Sequence, residues 1–328
     1  MRSLSFIEVH NSGMPVRIVF APGVPGSNMK EKKAYCEKNL DWIRKLLTYE
    51  PRASSSSYGV LVTNPTSSEA HIGALFFDSS GWHDMCGHAS MGLACYLVRS
   101  GLVSRAHEAT EIRLETPAGI VKLSVDPSGK VTLVNVPSFV VGDARVKSSK
   151  FGDLTVHLAY GGNLYGIVDL DELGINWDSI TMKELAELSG ELWSSVSESA
   201  KSLCPYELYG FRFSKNISLK PLRYYGILVF GSPQRPLLDR SPSGTGSSAH
   251  LAYLYSRGFV RKMEFVEFVS AISTTFLGRV VGETAFEKWN AVVPEISTAT
   301  RACYITAYTT VVLEPDDPLG EGFTPLPI

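Results

Sequence analysis

The chain has 328 residues, 44% of them apolar and 20% charged, with a net charge of −2. That is ordinary globular composition, and the length points to two domains of about 150 residues each. The near-neutral charge gives no electrostatic case for nucleic acid or an anionic membrane surface as a partner, and no apolar run approaches the roughly 20 residues of a membrane span. The opening Met1-Arg2-Ser3-Leu4-Ser5-Phe6-Ile7-Glu8 has neither the apolar core nor the cleavage site of a secretory signal. Five scattered cysteines (Cys36, Cys86, Cys95, Cys204, Cys303) read as free thiols in a reducing compartment, so a cytoplasmic location is expected.

In chain order, 4–10 and 16–20 read as a β-hairpin whose turn, Asn11-Ser12-Gly13-Met14-Pro15, is placed to reach a site. A single helix is expected over 30–48, with Tyr35, Leu40, Ile43, Leu46 and Leu47 as its buried stripe. Glu50-Pro51-Arg52 ends it, and the loop Ala53-Ser54-Ser55-Ser56-Ser57 leads into a strand at 58–63. A strand at 72–77, a loop at 78–85 and an apolar helix from Cys86 to about Ser100 follow. Strands at 112–114 and 120–125 flank the turn Glu115-Thr116-Pro117-Ala118-Gly119, with another strand at 130–136. In the second half, strands are expected at 154–160, 165–168, 222–230, 264–268, 279–286, 291–294, 303–310 and 311–314. A surface helix covers 180–199, a Pro-rich loop 231–242, and a loosely held tail 315–328.

Two stretches organise this pattern. In Asp84-Met85-Cys86-Gly87-His88-Ala89-Ser90 a thiol sits where an irregular loop becomes an apolar helix. The positive end of the helix dipole there favours thiolate, and the free N–H groups of the first turn can receive a carboxylate. Downstream, Asp239-Arg240-Ser241-Pro242-Ser243-Gly244-Thr245-Gly246 opens a second such helix. One constant offset places Cys86 on Ser243, Gly87 on Gly244, Ser90 on Ser247, Tyr96-Leu97 on Tyr253-Leu254, and Gly101 and Val103 on Gly258 and Val260. Upstream, Tyr58-Gly59-Val60-Leu61-Val62 echoes Tyr225-Gly226-Ile227-Leu228-Val229 with a change of loop length. Self-similarity at half the chain length implies a duplicated domain, with one site between related halves.

These two segments make the chain similar to the proline racemase family, which comprises proline racemases, hydroxyproline 2-epimerases and trans-3-hydroxy-L-proline dehydratases. The resemblance extends through Glu50-Pro51-Arg52, Thr116-Pro117-Ala118-Gly119, Asn135-Val136-Pro137-Ser138-Phe139, Tyr160-Gly161-Gly162-Asn163 and Pro294-Glu295. It implies an α/β (α+β), diaminopimelate-epimerase-like fold of two halves, each a curved sheet around a central helix. The expected halves are 1–140 with about 305–328, and 141–304, with the active site in the cleft between them. The family pattern makes Cys86 an acid/base at the α-carbon of a cyclic amino acid. It assigns the carboxylate to the backbones of Gly87, His88, Gly244 and Thr245, and the ring nitrogen to Asp239. It also implies a homodimer and no cofactor.

Two departures shape the expected chemistry. Where the family's second signature carries a cysteine, this chain has Ser243. Epimerases need that thiol to reprotonate the opposite face; dehydratases need one base, because a 3-hydroxyl leaves. The expected reaction is therefore dehydration of trans-3-hydroxy-L-proline, with epimerisation and non-catalytic binding of a cyclic amino acid as alternatives. Ser243 is expected as a helix N-cap, a weak donor to leaving hydroxide, or both. His88 is expected to contribute its N–H, to shuttle a proton, or only to pack. The second departure is 53–57, where the family commonly shows Gly-His-x-Asp-Met.

Three other patterns are set aside. Gly244-Thr245-Gly246-Ser247-Ser248-Ala249 mimics a dinucleotide fingerprint, but the Pro-rich loop separates it from the preceding strand. Ala89-Ser90-Met91-Gly92 lacks the first glycine of a nucleophile elbow. His83, Cys86 and His88 lack a nearby fourth ligand for zinc, and a ligated thiolate is no base, so no metal is expected.

Overall fold

The structure is a computed structural model that describes residues 2–54 and 57–324. Ser55 and Ser56 of the 53–57 loop, and 325–328 of the tail, lie outside the described residues. The chain divides into two units, 1–133 with 300–328 and 134–299, against expected halves of 1–140 with about 305–328 and 141–304.

In the first unit, Arg2–Asn11 and Met14–Phe20 form the expected hairpin, with its turn tightened to Ser12-Gly13. Met14–Phe20 runs parallel to Tyr58–Thr63, which pairs antiparallel with Ile72–Phe77. Ile72–Phe77 is parallel to Thr110–Thr116, which turns back into Gly119–Val125. The C-terminal strand, Cys303–Leu313, is one element rather than the two expected, and it returns to pair with Arg2–Asn11. The helix Gly87–Arg99 is buried from Gly87 to Val98, as a segment of apolar and small residues on every face must be.

The second unit repeats this order of elements. Phe139–Ser148, Gly152–Tyr160 and Leu164–Asp169 form an antiparallel meander. Leu164–Asp169 is parallel to Leu208–Leu219, which pairs with Leu222–Ser232, and that strand is parallel to Val266–Val269. Thr275–Phe286 and Trp289–Thr298 follow. The buried helix here is Gly244–Ser256. Its outer companion, Met182–Leu203, opens with a Thr181/Glu184 capping box. That helix buries Leu185, Leu188, Leu192, Val196 and Ala200 against strand residues such as Val156, Phe211 and Phe213.

The element order corrects several sequence expectations. The topological counterpart of Tyr58–Thr63 is Leu208–Leu219, and 225–229 instead corresponds to Ile72–Phe77. Buried strands all read as apolar runs, so local similarity alone picked the neighbouring strand. The expected 30–48 helix is two, Met29–Asn39 and Asp41–Thr48, broken where Leu40 leaves helical geometry at φ −122 and ψ 12. Tyr35 is exposed, while Cys36 and the stem of Lys32 face the core. The 231–242 loop contains a short strand, Arg235–Leu238, paired back on Leu222–Ser232. A two-residue strand, Trp82–His83, interrupts the 78–85 loop. Phe139–Ser148 and Leu208–Leu219 were not anticipated; the first alternates exposed charged with buried residues from Asp143 to Ser148, and the second sets Arg212 and Ser214 within a buried run from Gly210 to Ser214. The tail is held in part, since Phe323 bridges Glu50 and Arg52 Nη2 donates to the Gly320 carbonyl at 2.8 Å.

Candidate active site

Cys86 is the N-cap of the first buried helix, in extended geometry at φ −143 and ψ 109, and its side chain makes no capping bond. Its Sγ lies 3.3 Å from Nδ1 of His88, one residue into the helix. The first intrahelical bond, Ser90 N–H to the Cys86 carbonyl, is 3.0 Å. The N–H groups of Gly87 and His88, upstream of it, have no intrahelical acceptor and can meet an anion.

The His88 ring is 2% exposed, and the edge-on ring of Tyr58 packs at 4.6 Å. Burial pulls the imidazole down to about 3, against an opposing pull from Asp78, so it is neutral at ordinary pH. Its Nε2 is buried without a hydrogen-bond partner among the described residues. Asn11, in the hairpin turn, donates to the His88 carbonyl at 3.0 Å and pins the first helical turn. Ala118, in the Thr116-Pro117-Ala118-Gly119 segment, donates to the Asp84 carbonyl just upstream of Cys86. His83 points away from this arrangement chemically, with Nε2 2.8 Å from an Asp78 carboxylate oxygen.

The second helix opening is built differently. Ser243 sits at φ +61 and ψ 115, a left-handed backbone rare for serine, and its Oγ accepts the Gly246 N–H at 3.2 Å. Gly246 and Ser247 thus find acceptors on Ser243, leaving the Gly244 and Thr245 N–H groups without intrahelical ones. Thr245 Oγ1 is fixed by the Tyr165 hydroxyl at 2.6 Å. Gly161 lies against this turn so closely that a Cβ there would stand 2.3 Å from the Thr245 carbonyl oxygen.

Asp239 is 2% exposed and accepts the Ser241 N–H at 2.8 Å, while Ser241 Oγ accepts from Ser243 N at 3.2 Å. Burial pushes its carboxyl up to about 6, with Ser241, Arg212 and Arg240 pulling the other way. A carboxylate so buried and so lightly bonded is suited to a cationic ligand.

The first unit thus brings Cys86, Gly87 and His88 together, and the second brings Asp239, Ser243, Gly244 and Thr245 together. Sequence reasoning named the turn that holds Asn11 but missed Arg212, His250 and Tyr165. Arg212 carried a readable signal, a lone charge in the run Tyr209-Gly210-Phe211-Arg212-Phe213.

Two topologically equivalent α/β units, each opening a buried helix with an anion-ready N-terminus, define the epimerase-like class of fold. A family model described as proline racemase matches residues 6–324, and the chain belongs to that family. It is 34% identical to a proline racemase of Acetoanaerobium sticklandii, over 98% of each chain. It is 33% identical to a trans-L-3-hydroxyproline dehydratase of Xenopus tropicalis, over 98% of this chain and 94% of the relative. Among solved structures, a hydroxyproline epimerase from Agrobacterium vitis with bound trans-4-hydroxy-L-proline superimposes with a TM-score of 0.88. That pair shares 25% identity over 98% of this chain and 95% of the other. No helix among the described residues is long and apolar enough to cross a membrane.

Proposed function

We propose that the protein dehydrates trans-3-hydroxy-L-proline to Δ1-pyrroline-2-carboxylate without a cofactor, using Cys86 as its one base. The observation that carries this is the asymmetry of the helix openings. Cys86 caps nothing, whereas the position equivalent to it is a serine whose oxygen already accepts the Gly246 N–H. An alcohol is far too weak an acid to be the second partner of an epimerase at neutral pH. Relatives in the family bear both kinds of name, so the family alone leaves the reaction open.

In this reading the substrate carboxylate takes the N–H groups of Gly87, His88, Gly244 and Thr245. The helix dipoles stabilise the negative charge that grows on it as the α-proton leaves. Asp239 holds the ring nitrogen. Cys86 thiolate removes the α-proton, and the electron pair left on Cα forms the Cα–C3 double bond as the C3–O bond breaks. In the trans isomer the 3-hydroxyl lies on the same ring face as the α-hydrogen, so the leaving hydroxide takes up the proton that Cys86 removed and departs as water. The enamine gains a proton on C3 and loses one from nitrogen to become the cyclic imine.

Incubation with trans-3-hydroxy-L-proline, L-proline and trans-4-hydroxy-L-proline in D2O, read by NMR, tests this. The expected result is loss of the first substrate alone, with deuterium on C3 of the product. Deuterium at the α-carbon of proline, with the 3-hydroxy substrate untouched, would replace dehydration by epimerisation.

A further inference from the structure

Arg212 is 0% exposed, among the largest fully buried side chains in the protein. No ion pair joins it to a carboxylate among the described residues. Its Nη1 donates to the Pro242 carbonyl at 2.9 Å, its Nη2 to Ser247 Oγ at 3.1 Å and its Nε to His250 Nδ1 at 3.2 Å. The first two partners bracket Ser243, Gly244 and Thr245. Its guanidinium also stands 5.2 Å over the Phe268 ring.

The chain is shaped to admit this group. A Cβ on Gly226 would stand 2.0 Å from Nη2, and one on Gly246 would stand 3.1 Å from Nη1. The titratable groups around it do not cancel its charge. An arginine Nε–H always donates, so His250 Nδ1 must accept; Nε2 then carries the proton and donates to Ser214 Oγ at 2.8 Å. His250 is therefore neutral, and burial drives its basicity well down. Tyr165 spends its hydroxyl on Thr245, and Asp239 exerts only a through-space pull. Burial lowers the guanidinium to about 9, which still leaves it charged at neutral pH. An isolated buried charge is costly to the fold and persists where something else needs it.

We infer that Arg212 is a positioning residue of the carboxylate seat, a fixed positive charge behind the second helix opening that supports a bound carboxylate and holds the Pro242-Ser243 turn. It touches the turn, not the substrate, and adds a full charge to the partial charge of the helix N-terminus. This rests on the seat assigned under the proposed function.

The test measures binding of pyrrole-2-carboxylate, a planar anion, to native protein and to Arg212→Gln and Arg212→Lys by calorimetry from pH 6 to 8.5. Gln keeps donors for Pro242 and Ser247 without charge, and should bind about tenfold more weakly or worse. Lys keeps the charge at pH 6, and should then bind within about threefold of native. A buried lysine sheds its proton as pH rises, so the ratio of variant to native Kd should climb across the range. A merely structural role would not make that ratio depend on pH. If Gln fails to fold, the pH course of the Lys variant decides the matter alone. Folded variants that match native binding at every pH, or a Lys ratio that stays flat, overturn the role of Arg212 and leave the dehydratase reading standing. Native protein that binds no pyrrole-2-carboxylate overturns the seat itself, and this inference with it.

Discussion

Cys86 Sγ and His88 Nδ1 lie 3.3 Å apart at the mouth of one buried helix, and the imidazole is held neutral by burial. A neutral ring can donate Nδ1–H to a thiolate without competing for its proton. Cys86→Ser should fold normally and lose about 10²- to 10⁴-fold in kcat, the usual scale for a general base. His88→Asn keeps the backbone seat and removes the ring, so pyrrole-2-carboxylate should still bind while turnover falls. Near-native turnover by Cys86→Ser in a steady-state assay would end the mechanism.

Asp239 gives opposite effects on stability and activity. Burial raises its carboxyl from the ordinary value to about 6, so the folded state takes up a proton that the unfolded state at the same pH does not. The charge therefore weakens the fold above pH 6, and this penalty is relieved as pH falls toward 4. Asp239→Asn should raise the thermal midpoint by a few degrees at pH 7.5 while turnover is lost. On the proposed mechanism, activity of the native protein should decline as pH drops through about 6, where Asp239, the proposed partner of the ring nitrogen, becomes neutral. A calorimetric midpoint lowered by the substitution would contradict the sign.

Ser243 combines a cap with a left-handed backbone, and the two can be separated by substitution. Ser243→Ala loses the cap in a strained conformation and should cost about 1 kcal/mol or more, whereas Ser243→Gly suits φ +61 and should cost only about a few tenths. Denaturant titration of both variants checks the order. Ser243→Cys places a second thiol at the second helix opening and should add measurable α-epimerisation of proline or 4-hydroxyproline, read by chiral chromatography. Absence of any gain in a folded Ser243→Cys protein would count against one base being the reason for dehydration.

Gly161 packs against the Thr245 turn from a neighbouring loop. A methyl group there would collide with the Thr245 carbonyl oxygen at 2.3 Å and the Ala249 nitrogen at 2.5 Å, both backbone atoms that cannot swing aside. Gly161→Ala should lose about 1–3 kcal/mol of stability and weaken pyrrole-2-carboxylate binding. Equal ligand affinity in the two proteins would show that the Thr245 turn does not hold the ligand.

Thiol chemistry offers a check that needs no variant. Burial pushes the Cys36 thiol up to about 12 and raises Cys204 as well, which leaves both poorly reactive. Alkylation at pH 7.5 should inactivate through Cys86, and pyrrole-2-carboxylate should slow it. Peptide mapping that finds the label elsewhere, at an unprotected rate, would place the reactive thiol outside the seat.

Much of this site was legible in the chain because its chemistry is local. A thiol, a glycine and a histidine at the start of an apolar helix specify an N-cap position and first-turn N–H groups without intrahelical acceptors, through backbone geometry that three or four consecutive residues control. The second opening was legible for the same reason, and the constant offset from Cys86 to Ser243 exposed the duplication. What sequence could not show depended on residues far apart. Arg212 reaches the turn at Pro242 from a separate strand, and Asn11 holds His88 from a hairpin. Only tertiary packing could reveal that Ser243 spends its oxygen on Gly246 while the Cys86 sulfur makes no capping bond and lies beside His88 Nδ1. The repeat counterpart of Tyr58–Thr63 was likewise misread in sequence, since buried strands look alike until their pairing partners are known. Local backbone geometry follows from neighbouring residues, whereas burial, register and the position of a charge follow from which distant segments meet.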